Sequence, residues 1–186
     1  MQPQRNGAKS LLRRTVSKPA KVETIFDVLV ADHRAIAAVF EDLKAELEED
    51  EPDEPDEPSC LQLFLHIDAL LSPHARAEEQ LVYPAFAAVE GGEDPVAEAI
   101  EEHALVHQII AQLKDLDEVD PTWCAKAKVL MELVEHHVEE EEGEPFAIAR
   151  KGLDKARALA LASEFATAKA SIGKEPGLPT PEQLDA

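Results

Sequence analysis

His136-His137-Val138-Glu139-Glu140-Glu141-Glu142 closes a stretch whose core-type residues recur at helical spacing: Trp123, Ala127, Leu130 and Val134, then His137 and Glu141. That register chooses between two i, i+4 pairs. His137 with Glu141 falls on the face a helix turns toward a core, whereas His136 with Glu140 falls on a flank shared with Val129 and Leu133. An imidazole and a carboxylate one turn apart project about 40° apart and ~6 Å along the axis, so they can reach adjacent positions around a cation. On a buried face they are a metal-ligand pattern.

Three further helical seams carry polar residues of the same kind. Phe26, Leu29, His33, Ile36, Phe40 and Leu43 form the first. The second runs Leu61, Phe64, Ile67, Leu71, His74, Glu78, Leu81 and Ala85, opening on a capping-box pattern at Ser59 to Gln62. Pro73 and Pro84 lie within it and predict kinks, with the carbonyls of Ala69 and Gln80 losing their donors. Gly91-Gly92 stops that helix. Asp94-Pro95 reads as the N-cap and first residue of the third, with Val96, Ile100, His103, His107, Ile110 and Leu113 on one side, and Asp120-Pro121 repeats the start for the fourth. Pro145 ends or bends the fourth helix.

Height agrees as well as face. In an up-down-up-down bundle at ~1.5 Å per residue, His33 lies roughly 24 Å before the end of its helix and His74 roughly 22 Å past the start of the next. The same count brings Glu78, the His103/His107 pair and His137 within about a turn of one another. A lone histidine in an apolar stripe is ordinarily a satisfied core residue, and a glutamate run is ordinarily a solvated face; His66 fits that reading. His33, His74, Glu78, His103, His107, His137 and Glu141 together do not, because burying them at one level without a cation would cost several kcal/mol apiece. Mixed nitrogen and oxygen ligation without thiolates suits iron, manganese or zinc, and so many ligands imply two ions with bridging carboxylates. Iron is the expected metal.

Composition sets the frame. The chain has 186 residues, 45% apolar, with few aromatics and much Ala, Leu and Glu, which predicts one all-α domain. The formal charge of −21 argues against a nucleic-acid backbone or an anionic membrane as partner, while its field concentrates cations. No run is long enough to span a membrane and no secretory pattern stands out, so a cytoplasmic location is expected. Cys60 and Cys124 lack CxxC spacing and read as reduced thiols near two helix starts, on diagonal helices.

Residues 1–21 form a basic, acid-free arm expected to fray, with a transit-like peptide as the alternative reading. The bundle is assigned to 22–150, interrupted by an acidic Pro repeat at Glu48 to Pro58 that predicts an extended loop. Residues 151–172 form an additional Ala-rich helix on its outside, Leu159, Leu161, Phe165 and Ile172 among its apolar positions, and 173–186 a disordered tail.

Asp32-His33, His74-x-x-x-Glu78-Glu79 followed by Leu81-Val82-Tyr83-Pro84, Glu101-Glu102-His103, and His137-x-x-x-Glu141-Glu142 resemble, in order, the motifs of the hemerythrin-like HHE cation-binding domain. The resemblance covers about residues 23–150. It implies a four-helix bundle holding a non-haem di-iron centre, bridged by two carboxylates and an oxo or hydroxo group. It matches His33, His74, Glu78, His103, His137 and Glu141 to family ligands. His107 corresponds to a ligand of the oxygen-carrying hemerythrins, which many HHE domains lack. Those carriers use HxxxxD in the fourth helix; His136 with Glu141 would restore that spacing, whereas the seam selects His137. Tyr83 sits at the family's LYP-like position, where packing is the ordinary role and tuning of the centre the alternative. A His-rich di-iron site with an open position implies binding or sensing of O2, nitric oxide or peroxide, or a part in iron and oxidative-stress handling. The alternatives are an oxidoreductase acting on peroxide, nitric oxide or ferrous iron, and an interaction module with a structural metal. No acid-base or nucleophile set appears outside the metal layer.

Overall fold

The computed structural model describes residues 24–48 and 57–184. The basic arm and most of the acidic Pro repeat lie outside the described residues. The chain forms α1 (Ile25–Glu48), α2 (Glu57–Ala77), a π turn (Glu78–Val82) that runs directly into α3 (Tyr83–Ala87), α4 (Glu93–Lys114), α5 (Pro121–Gly152), α6 (Lys155–Ile172) and the single turn α7 (Pro181–Leu184). No strand occurs among the described residues. The α2–α3 rod, α1, α4 and α5 make an up-down-up-down bundle in the cyclic order α1, α2–α3, α4, α5 and back to α1. Helix α6 lies along α1 and α2 on the outside, as its apolar positions predict, with Leu161 and Phe165 fully buried. Leu159, however, is exposed.

The seams of α1 and α5 are buried as read, from Phe26 through Leu43 and from Trp123 through Glu141. The α2 seam departs at one place. Pro84 has no N–H for the Gln80 carbonyl, and the chain answers with a wider turn in which the Tyr83 N–H bonds the Glu78 carbonyl five residues back. The extra residue rotates the helix beyond it, so Val82, Tyr83 and Phe86 are buried in place of the expected Leu81 and Ala85. Helix α2 runs through Pro73. In α4, Ala99 and Val106 take the inward positions and Ile100 is exposed.

Helix ends follow the caps with two corrections. Asp120 caps α5 by accepting from the Trp123 N–H at 2.7 Å, with Pro121 behind it. Asp94 is not a cap: Gly92 is, and Asp94-Pro95 falls within the first turn, where the missing proline N–H costs nothing. Ser59 likewise lies inside the first turn of a helix that already includes Glu57. Pro145 bends α5 without ending it, the backbone leaving helical geometry at Gly143 (φ −82°, ψ −108°).

The C-terminal segment is not disordered through Leu184. Gly177 turns the chain at φ +93°, Pro179 is buried, and Leu178 packs against the core. Gln62 and His66 donate to the carbonyls of Gln183 and Leu184, at 2.9 and 3.1 Å, and Lys114 donates to that of Gly177 at 3.2 Å. Pro and Gly content predicts disorder only when such partners are missing, and here α2 and α4 supply them.

Two apolar clusters fill the bundle. One gathers Phe26, Phe86, Phe146 and Phe165, the other Phe40, Phe64 and Trp123. The buried polar residues His33, His74, Glu78, His103, His137 and Glu141 belong to neither cluster. At the α3–α4 turn, Gly91 takes φ +82°, and a Cβ on Gly92 would meet the Phe86 carbonyl oxygen at 2.1 Å. Gly92→Ala should therefore lower the unfolding free energy by about 1–3 kcal/mol in denaturant titration, and an unchanged midpoint would mean the turn relaxes freely.

Candidate metal centre

Each helix of the bundle delivers an imidazole to one layer, and each imidazole is held from behind by a carboxylate on a neighbouring helix. His74 Nδ1 lies 3.2 Å from Asp32 Oδ2, His103 Nδ1 3.1 Å from Glu79 Oε1, His137 Nδ1 2.6 Å from Glu102 Oε2 and His33 Nδ1 2.9 Å from Glu142 Oε1. An ionised carboxylate only accepts, so each Nδ1–H donates, and a ring in the neutral, metal-binding form keeps its Nε2 lone pair for the interior. The clasps close a ring: α1 holds the histidine of α2, the rod's π turn that of α4, α4 that of α5, and α5 that of α1. Helix α6 reaches this ring from outside, with the Lys169 ammonium on Asp32 and the Phe165 ring 5.6 Å from that of His74.

Inside the ring the donors form two groups that share Glu78. His33, His74 and Glu78 present ligand atoms all within 4.8 Å of one another, and so do Glu78, His103 and His137. Glu141 Oε2 joins the first group at 3.3 Å from His33 Nε2. Both oxygens of Glu78, both of Glu141 and His33 Nε2 are buried without a hydrogen-bond partner. His103 Nε2 and His137 Nε2 lie 3.1 Å apart, with the Tyr83 hydroxyl beside both. Unpartnered acceptors from α1, the π turn and α5, beside the imidazoles of His74, His103 and His137, fit cations, and their nitrogen and oxygen character fits iron, manganese or zinc.

Six of the seven residues singled out in the sequence converge here. The seventh, His107, is half-buried at the rim, its Nε2 2.9 Å from Glu79 Oε1. His136 and Glu140 are exposed, as their flank position predicts. His66 serves the C-terminal segment. Tyr83 also reaches the centre, beyond the packing role its position in the sequence suggests. The π turn rotates its hydroxyl into the layer, where it donates to His103 Nε2 at 3.0 Å and lies 3.4 Å from His137 Nε2. The signal for it was Pro84, one residue on. Burial, reinforced by Glu78, Glu141, Glu79 and Glu102, pushes the phenol well above its usual range, so it stays protonated.

Electrostatics obey the same geometry. Burial alone would lower the His74 pKa, yet Glu78 and Asp32 outweigh it and raise it to about 10. Burial would raise Glu78, and His74, His103 and His33 instead bring it to about 2. Glu79, despite its own desolvation, is held at about 2 by His103 and His107.

The family model of the hemerythrin HHE cation-binding domain matches residues 24–149, and the chain belongs to that family. Among curated proteins, one named DNA nickase from Nostoc sp. is 28% identical over 153 residues, 82% of this chain and 41% of that protein. The chain thus spans less than half of that relative. An uncharacterized hemerythrin-like protein of Schizosaccharomyces pombe is 24% identical over 151 residues, 80% of this chain and 70% of that one. No solved structure gives a significant match. With a relative so named, the exclusion of nucleic acid argued from net charge does not stand. No helix among the described residues is long and apolar enough to cross a membrane.

In the metal-free protein, the lowered Glu78 contributes stability that is complete above its ordinary 4.5 and lost as pH falls toward 2. The raised His74 contributes stability that is complete below its ordinary 6.5 and lost as pH rises toward 10. The contribution of this pair should therefore be greatest between 4.5 and 6.5. Thermal unfolding of metal-free wild type against Glu78→Gln across pH checks this: the two curves should differ most in that window, and a constant difference would refute the pairing.

Proposed function

We propose that this chain is a cytoplasmic non-haem di-iron protein that binds or senses a small ligand such as O2, nitric oxide or peroxide, or takes part in handling iron under oxidative stress. The observation that carries the proposal is the pair of donor groups sharing Glu78, with four Nε2 atoms turned inward by four outer carboxylates. His33, His74 and Glu141 would hold one iron and His103 and His137 the other, with Glu78 shared between them. Two irons so held supply electrons and an open coordination position for such a ligand.

The chain's own residues do the rest. The six inner residues are all buried, which limits bulk water at the layer. The clasps hold each ring in one orientation. Tyr83 keeps a buried proton beside His103 and His137, where it can be donated to a ligand bound on that side. That same proton supports the second reading, an oxidoreductase that turns over peroxide, nitric oxide or ferrous iron. His107 stands in reserve at the rim, a seventh ligand only if it exchanges Glu79 for metal.

Iron-loaded protein should contain close to two irons per chain with oxo-bridged near-ultraviolet absorption, and metal-free protein from iron-replete cells would contradict the proposal. Glu141→Ala should lose iron while Glu140→Ala keeps it; equal losses would place the register one residue off. Spectra of the reduced protein after O2, nitric oxide or peroxide separate the readings: a stable reversible adduct identifies a carrier or sensor, and turnover identifies an enzyme. The Nostoc relative's name adds supercoiled plasmid as a substrate to assay. Metal-dependent nicking would assign that activity to this chain, and intact plasmid would exclude it here.

A further inference from the structure

His136 and Glu140, set aside from the buried centre by the helical register, meet Glu102 at its edge. His136 Nε2 lies 3.3 Å from Glu140 Oε1 and 3.9 Å from Glu102 Oε1, and the three residues present ligand atoms within 4.8 Å of one another. Glu102 faces both ways: its other oxygen, Oε2, is the one that holds His137 Nδ1 at 2.6 Å. The three line a cleft of about 720 Å³ between α4 and α5. Exposed acidic groups gather often without a ligand, and the acidity of Glu98, Glu139 and Glu144 around this cleft would carry no weight alone. What distinguishes the cleft is that Glu141 also lines it, 2% exposed, with both carboxylate oxygens lacking any hydrogen-bond partner.

We infer that this cleft is the route by which a divalent cation of the ferrous class reaches the buried centre, with His136, Glu140 and Glu102 as its surface loading site. The inference rests on the di-iron reading and adds a third, weaker cation site to it. A hydrated cation drawn in by the protein's negative field meets an imidazole and two carboxylates of the same mixed donor type as the centre. His136 is 60% exposed and can take the ion while it still carries water. Glu102 then touches both the loading site and a histidine of the centre, and Glu141, in the wall of the same cleft, carries its buried oxygens inward, Oε2 3.3 Å from His33 Nε2. The ion exchanges water for protein oxygens stepwise, without crossing either apolar cluster.

The test mixes metal-free full-length protein anaerobically with ferrous ion and counts protein-bound iron at successive times after a rapid chelator quench. The double variant H136A/E140Q should reach the parent's final iron content about tenfold more slowly, the scale on which local charge accelerates capture of an ion. Glu132→Gln, an exposed carboxylate elsewhere on α5, should leave the rate unchanged. Cobalt titration should show one weak site in the parent beyond those of the centre, absent from the variant. Equal loading rates in parent and variant overturn the inference, as does a rate lowered equally by Glu132→Gln. The single variant E140K provides the same comparison if the double variant loses its helical circular dichroism. A parent that takes up no iron even at long times overturns the di-iron reading instead, so the two failures are distinct.

Discussion

The ring of four carboxylate–imidazole clasps is the constraint on which the rest of the structure depends. Each clasp joins two helices that are neighbours in the bundle, so the ring ties the four together in the order in which they pack. Each also directs the Nδ1 proton outward, which turns every Nε2 inward toward the centre. An interior built this way, with Glu78 and Glu141 added, is rich in acceptors and poor in donors. Packing alone does not relieve that imbalance, whereas positive charge at the centre does.

The backbone gives way beside the two inner carboxylates. Glu78 opens the π turn caused by Pro84, and Glu141 stands two residues before the bend at Gly143. Both irregularities arise where proline removes a helical donor, and the first of them brings Tyr83 into the layer. Helix α6 extends the same logic outward. Lys169 neutralises Asp32, which would otherwise stand half-buried behind His74, and so an element outside the four-helix bundle bears on one ligand's orientation.

The bundle and its inner ligands were legible because α1 and α5 keep an unbroken helical period, and a polar residue that holds such a period must face the core. Two kinds of information were not legible. Pro84 announces a lost hydrogen bond but not how the chain repairs it, so the one-residue rotation that exchanges Leu81 and Ala85 for Val82, Tyr83 and Phe86 could not be counted in advance. The outer carboxylates Asp32, Glu79, Glu102 and Glu142 sit one position off their seams, where a charge reads as solvated. Only the crossing of neighbouring helices shows which histidine each one meets. His107 shares a helix face with His103 and still stops at the rim, one turn along the axis, where its Nε2 rather than its Nδ1 meets Glu79. The order of the C-terminal segment was hidden for the same reason: its partners on α2 and α4 are distant in sequence.

The most direct test of the central claim is anomalous diffraction at the iron edge from crystals of the loaded protein. The account predicts two peaks inside the clasp ring, one beside His33, His74 and Glu141 and one beside His103 and His137, with Glu78 between them. A single peak, or iron confined to the exposed His136 and Glu140, would contradict it.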